Sequence, residues 1–472
     1  MADLRVVVLG AGVSGLATAL LLARDGSAVT VVERDTFEVG AALDSPSWVR
    51  KGIPHFLQPH AFIPRGRAEM RRHLRDVYDE LVAAGAHDVD LRPKLPGGAV
   101  EPADEELQYL GVRRPLIEWG LRRAVAREPR ISVRAGARVD GIAVDRGRVT
   151  AARVDGAGFE ADLLVDAMGR RTPLPAWLAN AGVPLPEPLT SDCGVVYYNR
   201  YYRRRDGFDL PDGPFLLGPR GDLGYLAYAT FPGDNRTFAA TLATPTGTTD
   251  WRVLKDPPAF EAASALIPAL RIWTDPAGVE PITAVEAMAG LRNSLRTPYG
   301  DSVGGLVAVG DAFCHTDPVM ALGLSFGIIH AVSLAAALRS HRHVPDAVDA
   351  FVAEISPAAQ ERFALATSVD EQRLRMWSGG PVDLSPQGDY ELFTVAAGGA
   401  AALVDPEVFR VFGRRIGLLD STSVLDHDVA LQARILRHFH ALLARPRPPA
   451  GPPRDEMLAA AHAAATEASA LA

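Results

Sequence analysis

Three glycines near the start of the chain have the spacing that a bound phosphate group requires. The stretch "LGAGVSG" places Gly10, Gly12 and Gly15 in a GxGxxG pattern directly after the apolar run "RVVVL". The first glycine permits a tight turn, the second lets the backbone approach a pyrophosphate, and the third lets a helix pack closely on a strand. Glu33 ends the next β-branched run, where a carboxylate accepts hydrogen bonds from an adenosine ribose. The pattern predicts a dinucleotide site and favours FAD or NAD over NADP, whose 2′-phosphate a carboxylate would repel.

These residues depend on a strand, a helix and a second strand that the sequence predicts around them. Residues 4–9 form an apolar run of strand length, residues 13–25 have helical spacing, and residues 28–35 form a second β-branched run. A phosphate bound at this turn would meet the N-terminus of the helix, where free N–H groups and the helix dipole favour negative charge.

A later strand end carries an acidic side chain, Asp311, in the stretch "LVAVGDAFCHTDP". Residues 306–310 predict a strand and residues 321–340 a helix, so this carboxylate lies at another turn between a strand and a helix. A buried carboxylate without partners is costly. Either ligand hydroxyl groups donate to Asp311, or it caps the helix that follows.

Three motifs, in this order, make the chain resemble the FAD-dependent monooxygenase superfamily, which has the fold of the aromatic hydroxylases and includes flavin-dependent halogenases. They are "GAGVSG" with Glu33, "LLVDAMGRRTPLPAWL" at 163–178, and "GLVAVGDAFCHTDPVMALGLS" at 305–325. The resemblance implies one non-covalent FAD. Because no second GxGxxG occurs, NADPH or NADH would bind only transiently as the electron donor.

The resemblance also assigns roles to individual residues. It implies that Asp311 binds the ribityl chain of FAD, that Pro318 lies beside the isoalloxazine ring, and that Arg114, next to Arg113, lies near the phosphates. The residues that we expect to bind the cofactor are Gly10, Gly12, Gly15, Glu33, Arg34, Arg114, Gly169, Gly310, Asp311, Pro318, Gly323 and Leu324.

Some positions depart from the pattern of this superfamily. Ala321-Leu322-Gly323 stands where many hydroxylases have Gly-x-Gly, and Met168 stands where Thr or Asp is usual. The halogenase motif WxWxIP is absent, which disfavours halogenation.

The helix that starts near Ala321 would direct backbone N–H groups at the flavin and stabilise its reduced anion.

The catalytic candidates are His315, Pro318 and Arg200. His315 lies near the predicted flavin. One alternative is a functional role, in which it orients the substrate or acts as a base; the other is a structural hydrogen bond. Arg200 belongs to "VVYYNRYYRRR", whose alternation predicts two faces: Tyr197, Asn199 and Tyr201 against Tyr198, Arg200 and Tyr202. Either one face lines a substrate pocket, or this is an ordinary half-buried strand.

Other polar residues carry weaker indications. His55 and His60, in "GIPHFLQPH", belong to a loop that runs close to the flavin in similar proteins, with either a catalytic or a plain loop role. None of the His, Asp or Cys spacings resembles a metal site, so we expect no metal.

Composition excludes several classes of partner. A formal charge of −8 in 472 residues disfavours a nucleic-acid surface, which requires clustered Lys and Arg. No basic leader and no uncharged apolar run of about 18 residues occurs, so we expect no membrane segment. The chain has only two cysteines, Cys193 and Cys314, which fits a reducing, cytoplasmic location.

The predicted fold is α/β: a Rossmann-like FAD-binding domain interleaved with an antiparallel-sheet substrate domain, plus a helical C-terminal region. The expected bounds are 1–185 and 280–345 for the discontinuous FAD-binding domain, 186–279 for the substrate-binding sheet, 346–444 for the helical region, and 445–472 for a Pro-rich linker with a terminal helix.

Three functions are compatible with the sequence. The first is an FAD-dependent monooxygenase that hydroxylates or epoxidises a mid-sized organic substrate in specialised natural-product metabolism, such as antibiotic biosynthesis. The second is a flavin dehydrogenase, oxidase or reductase that inserts no oxygen. The third is a cyclase or binding module that keeps FAD as a scaffold. In each case the partner is a small molecule and the protein a monomer or homodimer.

Overall fold

The computed structural model describes residues 4–42, 48, 50–53, 55–211, 218–445 and 449–471. Its strands are β1 (Arg5–Leu9), β2 (Ala28–Glu33), β3 (His87–Asp90), β4 (Gln108–Gly111), β5 (Ile131–Ala135), β6 (Val139–Asp145), β7 (Arg148–Val154), β8 (Ala157–Glu160), β9 (Leu163–Asp166), β10 (Leu189–Asp192), β11 (Val195–Arg204), β12 (Arg220–Asp222), β13 (Ala227–Pro232), β14 (Thr237–Pro245), β15 (Val279–Pro281), β16 (Glu286–Met288), β17 (Arg292–Leu295), β18 (Leu306–Ala308) and β19 (Cys314–His315).

Helices cover the sheets and form most of the C-terminal third. They are α1 (Val13–Arg24), α2 (Pro64–His73), α3 (Arg75–Ala83), α4 (Arg114–Arg127), α5 (Leu174–Asn180), α6 (Pro257–Leu266), α7 (Pro268–Arg271), α8 (Gly323–Ser340), α9 (Val344–Trp377), α10 (Tyr390–Leu392), α11 (Gly398–Ala401), α12 (Pro406–Ile416), α13 (Val429–Leu443) and α14 (Arg454–Leu471).

A parallel sheet forms around the predicted strand–helix–strand unit, in the order β18-β9-β1-β2-β5. β1 lies in its centre and pairs with β2 on one side and β9 on the other. Both faces of β1 are covered, so its sequence after Arg5 is continuously apolar, as expected for a buried parallel strand. The Rossmann-like core predicted from the first 35 residues is confirmed.

A meander of β6, β7 and β8 flanks this core. Arg146 and Gly147, between β6 and β7, both have positive φ angles, of 46° and 74°, as a two-residue hairpin turn of the primed type requires. The meander is limited to residues 139–160, because β5 before it and β9 after it join the parallel sheet.

The second large sheet is antiparallel, in the order β12-β13-β14-β11-β15, and β16 also pairs with β11. β11 is its longest strand and pairs with β14 from Val195 to Arg203. The predicted antiparallel sheet is confirmed, and it extends past residue 279, because β15 and β16 also join it.

Helix α8 lies inside the molecule, against α1, α2 and α9. Among the described residues, α8 is the one helix that is long and apolar enough to cross a membrane, judged by length and composition. Of this helix, 67% is buried inside the protein. These packing partners explain its apolar sequence as that of a core helix.

The terminal helix α14 docks on α6 beside the antiparallel sheet. Met457, Leu458 and Ala461 are buried in the apolar cluster on that side of the sheet, and Arg454 pairs with Asp250 at 3.0 Å. Residues 446–448 of the predicted Pro-rich linker lie outside the described residues.

Deleting residues 445–472 should destabilise the protein by about 3 kcal/mol or more, because burial of one large apolar side chain contributes about 1.5–3 kcal/mol. Urea unfolding measures this loss. Replacing the exposed His462 of the same helix by alanine is the control and should change little. A truncated protein as stable as the full chain would contradict the docking.

Candidate functional site

A cleft of about 910 Å³ opens at the carboxyl ends of the parallel strands. Its walls come from the segments that follow β1, β2, β5, β9 and β18, which is where ligands bind in open α/β sheets. The predicted site residues that line it are Gly10, Gly12, Glu33, Arg34, Arg114, Gly169, Asp311, His315, Pro318, Gly323 and Leu324.

The three glycines of the first motif differ in what surrounds them. A Cβ on Gly10, whose φ is 104°, would lie 2.6 Å from the Ala167 carbonyl oxygen, and a Cβ on Gly15 would lie 2.0 Å from the Gly10 carbonyl oxygen. A Cβ on Gly12 would meet only Arg114 Nη2, at 3.7 Å. Gly10 therefore permits the tight turn, and Gly15 permits close packing beneath it. Gly12 leaves open space between the backbone of the turn and Arg114.

Glu33 is buried at the end of β2 and is bonded on both carboxylate oxygens. Oε2 accepts from Ala11 N at 2.8 Å and from Arg50 Nη2 at 2.9 Å, and Oε1 accepts from Asp35 N at 2.9 Å. Arg50 also pairs with Asp35 at 3.0 Å and with Glu118. Arg50 lines the cleft, yet no motif surrounds it, so sequence reasoning missed it.

Two adjacent arginines at the start of α4 have separate roles. Arg114 lines the cleft and donates from Nε to Glu118 at 2.9 Å. Arg113 instead pairs with the buried Asp234, which lies between β13 and β14. Of the two, Arg114 is the one placed near the glycine turn.

Asp311 and His315 form a pair in the cleft, with 3.3 Å between Oδ2 and Nδ1. Burial raises the pKa of Asp311, but His315 and Arg114 outweigh it, so this pKa lies well below its usual value. The carboxylate is therefore ionised. His315 Nε2 is buried and has no hydrogen-bond partner among the described residues.

Asp311 does not cap the helix that follows. Helix α8 begins at Gly323 without a side-chain cap, and the cap in this segment belongs to Asp317, which accepts from Val319 N at 3.1 Å. Asp311 faces His315 and the cleft instead of a helix terminus.

His55 and His60 also line the cleft, with ring centroids 6.0 Å apart. Burial and the nearby Arg114 lower the pKa of His55 to about 2 and that of His60 to about 3. Both rings are therefore neutral near pH 7, so they offer hydrogen-bonding nitrogens and not positive charge.

The segment that contains Pro318 forms one wall of the cleft. Ala321 has a φ of 55°, in the left-handed region that favours glycine. Many hydroxylases of the superfamily that the sequence resembles have glycine at this position, whereas here an alanine adopts the left-handed conformation and is strained. The N-terminus of α8 follows directly and lines the cleft through Gly323 and Leu324.

Arg200 does not reach the cleft. It donates to the Thr283 carbonyl oxygen at 3.0 Å and to Glu261 Oε1 at 2.6 Å, on the face of β11 that packs against α6. Alternate residues of a strand point to opposite faces, and the other face carries Tyr197 and Asn199. These donate to two cleft-lining residues, Asp317 and Gln58.

Two other expected contacts lie just behind the cleft. Gly15 packs under the Gly10 turn, and a Cβ on Gly310 would lie 2.3 Å from Ser14 Oγ. Gly310 N donates to His330 Nδ1 at 3.0 Å. Both glycines support the lining without being part of it.

Comparison with known proteins gives four informative matches. A family model described as FAD dependent oxidoreductase matches residues 5–129. Protein Rv3254 of Mycobacterium tuberculosis is 27% identical over 464 residues, covering 92% of this chain and 93% of that protein. Among solved structures, PqsL, a probable FAD-dependent monooxygenase from Pseudomonas aeruginosa, is 15% identical with a TM-score of 0.58, over 80% of this chain and 99% of that one.

The flavin-dependent brominase Bmp2 is similar over 93% of this chain and 98% of its own, with 16% identity and a TM-score of 0.58. The structural similarities establish the fold, and the family match covers the strands, helices and glycine turn of the first 129 residues. The predicted resemblance to FAD-dependent monooxygenases is confirmed as a similarity of fold, and the match of residues 5–129 supports the prediction of an FAD-dependent oxidoreductase.

Proposed function

We propose that this FAD-dependent oxidoreductase is a monooxygenase that hydroxylates or epoxidises a mid-sized organic molecule, with NADPH or NADH as transient electron donor. The observation that carries the proposal is the single cleft that extends from the glycine turn, past Asp311, to the wall formed by Pro318. One elongated cofactor could occupy that whole length and present its reactive end beside the antiparallel sheet.

The cleft residues fit FAD bound without a covalent bond. Gly12 leaves open space at the turn, and Glu33 has the carboxylate that a ribose requires. Arg114 supplies positive charge for the pyrophosphate. Asp311 is an ionised acceptor without a helix to cap, which suits the hydroxyl groups of a ribityl chain.

Bound FAD would supply the redox chemistry of the reaction, with oxidation of the nicotinamide and reduction of dioxygen. In balance, the substrate gains one oxygen atom, the other leaves as water, and NAD(P)H and one proton are consumed. The chain supplies binding, orientation and exclusion of water. The N-terminus of α8 stabilises negative charge at the cleft wall.

His315 is the group best placed to handle a proton. Asp311 fixes one ring nitrogen, Nδ1, and the other, Nε2, is buried without a partner among the described residues. A substrate hydroxyl or amine at Nε2 would complete its hydrogen bonds, and the imidazole could then accept or donate a proton at that atom.

The substrate is proposed to enter beside the antiparallel sheet, where Met288, Leu291 and Gln58 line the cleft. A mixed apolar and amide lining suits an organic molecule with a few polar groups. PqsL, which shares the fold, has been solved with 2-aminobenzoylacetate, a small aromatic compound. We further propose a cytoplasmic monomer or homodimer acting in specialised metabolism.

The decisive experiment supplies the holoprotein with a candidate substrate, NAD(P)H and labelled oxygen gas. Monooxygenation puts one labelled atom into the product as NAD(P)H is consumed. Unlabelled product would support a dehydrogenase or reductase, and turnover without oxygen and without change of the oxidised flavin would support a scaffold role for FAD. Anaerobic mixing with NADPH and then NADH identifies the donor.

Replacing Asp311 by alanine should weaken FAD binding by about 10- to 150-fold, since a hydrogen bond to a charged group contributes about 1.5–3 kcal/mol. Fluorescence titration of the apoprotein with FAD measures the change. Asp301→Ala is the control, on an exposed carboxylate outside the cleft. An unchanged affinity in Asp311→Ala would remove Asp311 from the proposed site.

A further inference from the structure

A buried polar cluster lies directly behind the cleft wall that contains Pro318. It consists of Tyr197 on β11, Asn293 on β17, Asp317 next to Pro318, and Asp370 and Arg373 on α9. We call it the Asp317 cluster. Asp317 and Asp370 are 0% exposed and Arg373 is 7% exposed, so the charges are neutralised within the cluster and not by water.

Asp317 is the member of the cluster that lines the cleft, and all of its polar atoms form hydrogen bonds. Oδ1 accepts from Tyr197 OH at 2.5 Å and from Val319 N at 3.1 Å, and Oδ2 accepts from Arg373 Nη2 at 2.8 Å. Its backbone N donates to Asn293 Oδ1 at 2.7 Å. Asp317 thus joins the cleft wall to β11 and α9 through its side chain and to β17 through its backbone N.

The turn beyond Asp317 is shaped by hydrogen bonds of its own backbone, and Met320 and Ala321 also pack against the apolar core. Met320 N and Ala321 N donate to the carbonyl oxygens of Asp317 and Pro318, at 3.0 and 2.9 Å. These bonds shape the turn but do not attach it to the rest of the protein. Ala321 is in a strained left-handed conformation, which persists only when the surroundings fix it. Asp317, the first residue of this segment, supplies the polar contacts that attach it to β11, β17 and α9.

Asp370 stabilises the cluster from the opposite side. Its Oδ1 accepts from Arg373 Nη2 at 2.6 Å, and its Oδ2 accepts from Asn293 Nδ2 at 2.9 Å. The groups that face Asp370 are Asp317 from the cleft wall, Arg373 from α9, Asn293 from β17, Tyr197 from β11 and Cys193 after β10.

The charges in this cluster balance only if it holds one proton. Two carboxyls face a single guanidinium, and burial keeps Tyr197 and Cys193 neutral by raising the pKa of each. Burial and the adjacent Asp317 raise the pKa of Asp370 to about 8. The pKa of Asp317 is lowered, because Arg373 and the hydrogen bond to Asp370 outweigh its burial. Near pH 7 the proton therefore resides on Asp370.

Arg373 also explains why the side chains of Cys193, Asp317 and Asp370 lie close together, a proximity that their spacing in the sequence did not indicate. Cys193, Asp317 and Asp370 offer atoms within 4.8 Å of one another, a separation that a metal ion could bridge. Arg373 Nη2 already bonds both carboxylates, so the positive charge of this cluster comes from the protein itself.

We propose that Asp317, Asp370 and Arg373 are positioning residues for the cofactor, which hold the wall from Pro318 to Leu322 in the shape that receives FAD and tie it to the substrate sheet through Tyr197. This inference rests on the proposed binding of FAD in the cleft. It follows that ionisation of Asp370 would place two negative charges beside one guanidinium and loosen the wall.

The test measures the dissociation constant of FAD by fluorescence titration from pH 6 to pH 9 in the full-length apoprotein. For the unchanged protein we expect affinity to fall as the pH rises through about 8. Asp370→Asn, which stays neutral, should bind FAD with little pH dependence. Asp317→Asn, which loses the charged pair with Arg373, should bind FAD at least about tenfold more weakly at every pH.

Asp349→Asn is the matched control, because it makes the same change at an exposed position of α9. It should keep both the affinity and the pH profile of the unchanged protein. Thermal unfolding of each apoprotein separates loss of fold from loss of positioning, and Tyr197→Phe, which removes one hydroxyl group, provides a milder variant expected to weaken FAD binding without unfolding.

The outcomes distinguish this inference from the proposed function. If the unchanged protein fails to bind FAD, the cofactor assignment itself is wrong. If it binds FAD with an affinity independent of pH, or if Asp317→Asn and Tyr197→Phe bind FAD as tightly as the unchanged protein, FAD binding stands and the positioning role is overturned.

Discussion

A Gly12→Val protein should fold normally and purify without bound FAD. The valine side chain would project into the open space between the glycine turn and Arg114, where the backbone must approach the pyrophosphate. We expect the affinity for FAD to fall by at least about 100-fold, which corresponds to about 2.7 kcal/mol. Absorbance of the purified protein and titration of the apoprotein measure this change.

Two further substitutions make the result specific. Gly158→Val adds the same side chain to β8, where nothing lies within 4 Å of the new Cβ, and should leave the protein yellow. Gly15→Val should instead impair folding, because its Cβ would lie 2.0 Å from a backbone oxygen. A folded Gly12→Val protein that retains its full content of FAD would refute the position of the phosphates.

Arg113→Met should cost about 3–5 kcal/mol of unfolding free energy, because it leaves Asp234 buried without its charge partner. The Asp234 side chain is 1% exposed and receives bonds from Arg113 Nε at 3.0 Å and Arg113 N at 2.9 Å. This pair also joins α4 to the antiparallel sheet. Urea unfolding at pH 7 measures the loss.

Arg114→Met is the matched control, because it makes the same change one residue later. Glu118 would keep its pair with Arg50, so we expect a smaller loss of stability, together with an FAD affinity at least about tenfold weaker. If the two variants behave alike in both measurements, the division of roles between these arginines is incorrect.

The Arg113–Asp234 pair also has a defined pH dependence. Burial raises the pKa of Asp234, but Arg113 outweighs this effect and lowers the pKa below its usual value. The contribution of the pair is therefore present above the pKa of an unfolded aspartate, about 3.9, and is lost as the pH falls through the folded value. Arg113→Met should be correspondingly less sensitive to acid than the unchanged protein.

Features governed by neighbouring residues could be predicted from the sequence. The β1–α1–β2 unit, the Arg146-Gly147 turn and the alternation along β11 each depend on patterns a few residues long. The position of Glu33 at a strand end followed from the same local pattern. The domain bounds stay a prediction.

Features governed by distant contacts could not be predicted in this way. Alternation along β11 predicts two faces, but the packing of α6, with Glu261, decides that the face with Arg200 points away from the cleft. Tyr197 and Arg373 reach Asp317 from 120 and 56 residues away, and no local pattern marks such a meeting. Arg50 likewise acts through three partners on two other segments: Glu33 and Asp35 at the end of β2, and Glu118 on α4.

The strand order of the parallel sheet has a consequence for the growing chain on the ribosome. β1 emerges first, its neighbour β9 ends at Asp166, and the edge strand β18, which leads to Asp311, begins only at Leu306. The antiparallel sheet lies between them in the sequence, so its residues must emerge before the cleft can close. FAD is therefore expected to bind a nearly complete chain, and the early, partly formed sheet must persist through synthesis without the help of the cofactor.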